Sequence, residues 1–265
     1  IKGGLNDVVM NNSPIDIDKL IEGTNEILTA NRNSLQLFDM LHSMRQFDDL
    51  TYVHSVNVAL IASILGQWLK FSEKDIRILT ISGLLHDIGK IMIPNEILTK
   101  PGKLTVAEYN IMKQHVNFGY EKVKNQNIDI RIKEACLLHH EKCDGTGYPF
   151  GLKSDHIPAV AKIIAIADVY DAMTSARVYR GALCPFEVID TMYKDAFTKF
   201  EPEYILPFLK NVASSYINND VRLSDGRIGK VVLINENALS LPIVQCEDEF
   251  IDLSKTRELT VSAIL

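Results

Sequence analysis

The chain has 265 residues, 46% of them apolar, enough for one large domain or one large and one small. Its net charge of -6 argues against broad binding to a DNA or RNA polymer or to an anionic membrane, although a small anionic ligand in a locally cationic site remains open. Cys136, Cys143, Cys184 and Cys246 show no CxxC spacing, no apolar run has transmembrane length and no signal peptide is visible, so a reduced, cytoplasmic protein is expected, with no membrane segment in this stretch.

In chain order the pattern is mainly α. Ser13-Pro14 opens a helix over "SPIDIDKLIEGTNEIL", and a second helix is predicted from Ser34 to Gln46, making residues 1–46 a helical lead-in. "LTYVHSVNVALIASILGQWLK" reads as one long helix ending near Lys70. Ser72-x-x-Asp75 begins the next in a capping-box-like pattern, and that helix is predicted to run to Gly89. One or two helices are expected from Thr105 to Lys124, and single helices from Ile128 to His140 and after Pro158. Two more follow, from Pro185 and from Pro202 to about Asn218. After Asp220 the character changes. "VRLSDGRIGKVVLI" places two β-branched runs around Asp225-Gly226, a hairpin signal, and "LPIVQCEDEFIDL" and "ELTVSAIL" are candidate strands. The expected division is a lead-in at 1–46, a central helical domain at 47–219 and a small β-rich extension at 220–265.

Within "GLLHDIGKIMIP", His86, Asp87 and Lys90 interrupt an apolar run. A buried charge or imidazole costs several kcal/mol unless it is paired. On one helix Lys90 lies four residues after His86 and three after Asp87, on the same face. Alone the trio is equally a polar cluster at a helix end. The chain has seven histidines, and the others add weight. His54 sits on the apolar stripe of Val58, Ile61 and Leu65, where it is either a satisfied core histidine or a ligand. His139 and His140 are adjacent just before the Gly-rich "EKCDGTGYP". Asp168 lies inside the apolar "KIIAIADVY", where an unpaired carboxylate is expensive. His115 opens a helix and by itself is also read as a surface residue; His42 and His156 read as bystanders. Together, five histidines and two aspartates supply enough ligands for two metals sharing a carboxylate. Imidazole with hard oxygen suits iron, manganese or, less often, zinc, and the absence of cysteine argues against a structural zinc site.

"HDIGK", "HHEKCDGTGYPFGLKSDHIP" and "IADVYDAMTSARVYR" closely resemble the HD-GYP family of HD-domain metal-dependent phosphohydrolases, over roughly Asp48 to Phe208. The resemblance implies an HD-domain helical bundle that hydrolyses cyclic di-GMP to linear pGpG through a hydroxide bridging two metals. Further hydrolysis to GMP, and related 3',3'-cyclic dinucleotides as substrates, remain open. By position it implies His54, His86, Asp87 and Asp168 around one metal. Asp87 would bridge to a second, held by His115, His139 and His140. Lys90 would act beside the scissile phosphate, with Asp87 and Lys90 forming the catalytic pair. It also implies a substrate-binding set: Gly145, Gly147, Tyr148 and Pro149 in the loop that names the family, and Asp171, Arg177 and Arg180 near the guanine and phosphate groups. Trinuclear members have a Glu one turn before the first metal histidine; here that residue is Leu50, so a binuclear iron or manganese centre is expected. A cyclic-dinucleotide receptor without turnover and a di-iron oxygenase are the competing readings. A homodimer or a signalling-protein partner is left open.

Overall fold

The computed structural model describes residues 13–18, 20–22, 24, 50–175, 183–256 and 258–265, with the side chains of Leu50 and Thr51 excepted. The helix expected from Ser34 to Gln46, most of the lead-in, and Arg177 and Arg180 lie outside the described residues.

The first long helix, α1 (Leu50–Trp68), is apolar on nearly every side. Val58, Ala59, Leu60, Ile61 and Ala62 are fully buried, as a helix at the centre of a bundle must be. Helix α2 (Glu73–Leu85) starts where the Ser72 hydroxyl accepts the Asp75 N–H. It approaches α1 very closely at Gly83, where a Cβ would lie 2.4 Å from the Ala59 Cα. That contact brings the C-terminal end of α2 beside His54.

Helix α2 ends at Leu85, not at Gly89. Past it the chain tightens into a 3-10 turn, Ile88–Met92. The reason is steric. The backbone of Gly89 is seated on the helix that starts at His115, where a Cβ would meet the His115 carbonyl at 2.0 Å and the Gly119 nitrogen at 2.4 Å. Straight α-helical continuation is replaced by a turn that fits that surface.

The short helix α3 (Asn95–Leu98) precedes α4 (Val106–Met112), and α4 is separated from α5 (His115–Val123), so the predicted Thr105–Lys124 segment forms two helices. Helix α6 (Ile130–Leu138) and helix α7 (Ala159–Thr174) complete the walls around the end of α2. Helices α8 (Pro185–Asp195) and α9 (Pro202–Ser215) each carry Pro in the first turn, where its missing N–H costs no helical bond. Leu20 and Ile21 of the N-terminal segment are buried in the same core, and Gln126 holds that segment through Ile15 N–H and the Ser13 carbonyl.

The sheet begins at Asp220. Its strands are β1 (Asp220–Leu223), β2 (Ile228–Leu233), β3 (Ile243–Cys246), β4 (Glu249–Asp252) and β5 (Val261–Ile264), in the spatial order β4-β3-β2-β1-β5 and antiparallel throughout. The β1–β2 hairpin turns at Asp225-Gly226, with Gly226 at φ 92°. Val221, Leu223, Val231 and Val244 are buried in the same continuous cluster as the helices. Among the described residues no helix is long and apolar enough to cross a membrane.

Candidate metal centre

Three helix ends and two turns within helices converge. His54 is on the second turn of α1 and Asp168 on α7, while His86 and Asp87 follow the end of α2. His115 opens α5, and His139 and His140 follow α6. Backbone carbonyls are already committed inside a helix but open at its C-terminus. His86 uses this: its Nδ1 donates to the Gly83 carbonyl at 2.8 Å. His139 Nδ1 donates to the Ala135 carbonyl at 2.9 Å and His115 Nδ1 to the Met112 carbonyl at 2.7 Å. A carbonyl only accepts, so in each ring Nδ1 carries the proton and the neutral imidazole turns a bare Nε2 lone pair inward.

Those lone pairs meet at Asp87, which is 3% exposed. Its Oδ2 lies 3.2 Å from His86 Nε2 and 3.6 Å from His54 Nε2. Its Oδ1 lies 3.3 Å from His115 Nε2 and 3.8 Å from His139 Nε2. Two sets of ligand atoms result, His54–His86–Asp87 and Asp87–His115–His139–His140, each grouped within 4.8 Å and joined by Asp87. Asp168 adds Oδ1 at 3.0 Å from His54 Nε2 and Oδ2 at 3.9 Å from His140 Nδ1.

The donor set fits divalent cations. His86 Nε2 and Asp87 Oδ1 are buried with no hydrogen-bond partner, and the Nε2 atoms of His115 and His139 face each other at 3.5 Å with no proton between them. Buried bare acceptors repel one another unless a positive charge lies among them. Burial disfavours the charged imidazoles: it lowers His115, takes His139 well below its ordinary value and brings His140 down to about 3. Burial opposes ionisation of Asp87, yet its His86 and Lys90 neighbours hold it well below the carboxylate range. His54 does the same for Asp168. For His54, burial is outweighed by the carboxylates of Asp168 and Asp171, which raise it to about 9. The cluster therefore presents ionised carboxylates with neutral imidazoles at His115, His139 and His140, the state metals require, while His54 holds a proton between two carboxylates that a cation would displace. Cys136 does not join it: burial pushes its thiol up to about 12, and its Sγ faces the Leu85 carbonyl.

The other expected site residues fall in different places. Lys90 Nζ donates to Asp87 Oδ2 from a side chain 23% exposed, so it sits at the open side of the cluster. The 3-10 turn keeps Lys90 one turn from Asp87, although His86 and Lys90 do not share an α-helical face. Asp171, expected near the substrate, is instead 1% exposed behind His54. Its Oδ2 accepts from His54 Nδ1 at 2.7 Å and its Oδ1 from Asn57 Nδ2 at 2.9 Å, so both oxygens face inward. Gly145 makes a turn at φ 83°. Gly147 packs its backbone on residues 140–142, where a Cβ would be 2.4 Å from the Glu141 Cα. Tyr148 stacks on the His140 ring with centroids 4.7 Å apart, and its peptide bond to Pro149 is cis. Of the two histidines read as bystanders, His156 is exposed on the surface and His42 lies outside the described residues.

Two residues had no role in the sequence reading. Asn57 supports Asp171 as above. Glu141, 4% exposed, accepts the N–H groups of Phe150 (2.7 Å), Gly151 (3.1 Å) and Leu152 (2.9 Å). A carboxylate directly after a His pair and before a Gly-rich loop was the available signal.

A helical bundle whose helix ends deliver histidine and aspartate ligands to one buried point defines the class. The chain belongs to the HD-domain family: the family profile described as HD domain matches residues 21–204. Over 203 residues the chain is 36% identical to the cyclic di-GMP phosphodiesterase PA4108 of Pseudomonas aeruginosa, covering 76% of this chain and 49% of that protein. It is 36% identical over 197 residues to the cyclic di-GMP phosphodiesterase response regulator RpfG of Xanthomonas campestris pv. campestris, covering 74% of this chain and 52% of that one. It is 32% identical over 194 residues to the 3'3'-cGAMP-specific phosphodiesterase 2 of Vibrio cholerae, covering 72% and 37%. The chain thus spans about half the length of the first two relatives. The fold is shared with Bd1817, a HDG"Y"P protein from Bdellovibrio bacteriovorus, at a TM-score of 0.52 and 18% identity, covering 78% of this chain and 76% of that one.

Proposed function

We propose that this chain is a metal-dependent phosphodiesterase that opens cyclic di-GMP to linear pGpG. The observation that carries the proposal is the convergence of bare His Nε2 atoms on both oxygens of one buried carboxylate, Asp87. The relatives named for cyclic di-GMP hydrolysis support the substrate class.

In this reading His54, His86, Asp87 and Asp168 hold one divalent cation, and Asp87, His115, His139 and His140 hold a second, iron or manganese in each case. When bound, such a pair neutralises a phosphodiester and lowers the pKa of water at the site. The chain's own groups do the rest. Asp171, fixed by Asn57, orients His54. Lys90 reaches from the open side, and its ammonium donates to a phosphate oxygen and protonates the departing 3'-oxygen. Arg177 and Arg180 take the guanine edges or the second phosphate, for which a guanidinium fork is suited. Leu50, one turn before His54, offers no ligand atom, so the proposed centre is binuclear, with pGpG as its first product.

The relative named for 3'3'-cGAMP favours a second reading, in which the mixed dinucleotide is the substrate. The test is anaerobic hydrolysis of both dinucleotides by the iron- or manganese-loaded protein, with metal counted on the same sample. About two metals per chain and conversion of cyclic di-GMP to pGpG are expected. Preferential opening of 3',3'-cGAMP would move the assignment to the mixed dinucleotide. Bound metal with neither substrate hydrolysed would overturn the enzyme reading in favour of a receptor.

A further inference from the structure

We infer that Tyr148 is a positioning residue for His140, and that Glu141 holds the loop that presents it. This rests on the metal reading above, and deepens it. His86, His115 and His139 are each fixed by a hydrogen bond from Nδ1 to a backbone carbonyl, and His54 by one to Asp171. Such bonds on the remote nitrogen fix ring orientation. Among the described residues the His140 ring has none. Its nearest carboxylate oxygen is Asp168 Oδ2, 3.9 Å from Nδ1, and Asp168 is itself a proposed ligand. The His140 side chain is also 26% exposed, so burial alone does not set its rotamer.

What lies flat on it is Tyr148, with ring centroids 4.7 Å apart and planes 28° apart. The rings of His139 and His115 also lie against His140, at 4.2 and 5.1 Å, but both are themselves proposed ligands. Tyr148 is the neighbouring ring in that contact set with no ligand role.

The loop is built to return onto His140. Glu141, the next residue, reaches across and gathers the N–H groups of Phe150, Gly151 and Leu152. The Tyr148 N–H donates to the His140 carbonyl at 3.2 Å, and Gly147 leaves no room for a side chain between the two backbone stretches. On the outer side the Tyr109 ring meets Tyr148 edge-on at 6.4 Å. The circuit runs from His140 through Glu141 and the loop to Tyr148, and back to the face of His140. It is the ring, not the hydroxyl, that orients the ligand.

The experiment compares wild type, Tyr148→Phe, Tyr148→Leu and Glu141→Gln. Manganese affinity of each site is measured by chelator competition, and the His140 ring-proton shifts by NMR before metal is added. Tyr148→Phe should keep both metals and the aromatic ring-current shift of His140. Tyr148→Leu should lose that shift and weaken one of the two sites about 10–100-fold, leaving the other unchanged. Glu141→Gln turns an amide NH2 toward the Leu152 N–H, two donors facing each other, and should weaken the same site. Two sites of wild-type affinity in folded Tyr148→Leu would overturn the inference. So would a wild-type His140 with no ring-current shift, a readout that stands even if Tyr148→Leu does not fold. Loss of activity in Tyr148→Phe with both metals retained would also overturn it, by assigning the hydroxyl a direct role. A wild-type protein that binds no manganese would defeat the metal reading itself, while the NMR shift still decides the stacking.

Discussion

Asp171 shows how a residue's role depends on what faces it. Helix α1 carries His54 and Asn57 one turn apart, and α7 carries Asp168 and Asp171 one turn apart. The two turns pair directly, His54 with both aspartates and Asn57 with Asp171. Asp171→Asn keeps a single acceptor oxygen where the carboxylate had two, and leaves His54 without its carboxylate. The expected result is a folded protein whose affinity for one metal is about 10–100-fold weaker. Chelator competition checks it; a raised KM with unaltered metal affinity would instead return Asp171 to the substrate. The sequence showed that Asp168, His54 and His86 were out of place in apolar surroundings. It could not show the partner of Asp171, which lies 117 positions away on another helix. Glu141 was hidden for a similar reason. Its partners are backbone N–H groups, which have no side-chain signature in the sequence.

At the level of elements, helix starts were legible because capping is a local exchange of hydrogen bonds: Ser72, Thr105 and the prolines at 185 and 202 each mark a start. The end of α2 was not, because the apolar run continues past Leu85 and the constraint is the seat of Gly89 on α5. Gly89→Ala therefore makes a sharp prediction. Its Cβ collides with fixed backbone at 2.0 Å, so the 3-10 turn and α5 must separate. Overpacking of this kind costs about 1–3 kcal/mol or more. It should lower Tm and, by displacing His115 from Asp87, reduce metal content; a variant with wild-type Tm and metal would show that this packing is soft. Helix α4 behaves differently. None of its residues is buried, and Lys100 clamps it through both oxygens of Glu108, at 2.7 and 2.6 Å. Lys100 and Thr105 hold Glu108 down to about 2, below the ordinary 4.5. A depressed folded-state value stabilises above the ordinary pKa and is lost as pH falls towards the folded one, so the clamp is fully formed near neutrality. Glu108→Gln should speed amide exchange across 106–112 there with Tm unchanged. Exchange as slow as wild type would mean that the capping contacts alone hold the helix.

At the scale of the whole molecule, the alternation around Asp225-Gly226 made the hairpin readable, and it also implied one buried face. It did not say what that face would cover. The structure answers that Val221, Leu223, Val231 and Val244 extend the helical core, with β5 packed on α8. Asn218 N–H donates to the Val231 carbonyl and Val231 N–H to the Asn219 carbonyl, so the end of the helical part is itself tied into β2. A segment this short also lacks the volume for a core of its own. We expect that ending the chain after Asn219 uncovers apolar surface on α8 and α9, whose buried residues include Val188, Ile189, Phe208 and Val212. The proposed metal ligands all remain in the shortened chain, so the effect should appear first as lower Tm and self-association, and as metal loss only in the unfolding fraction. Calorimetry with light scattering tests this against the full chain. A shortened protein that stays monomeric with the full-length Tm would show instead that the sheet is an independent unit, and that the boundary at 219–220 separates two domains with separate cores.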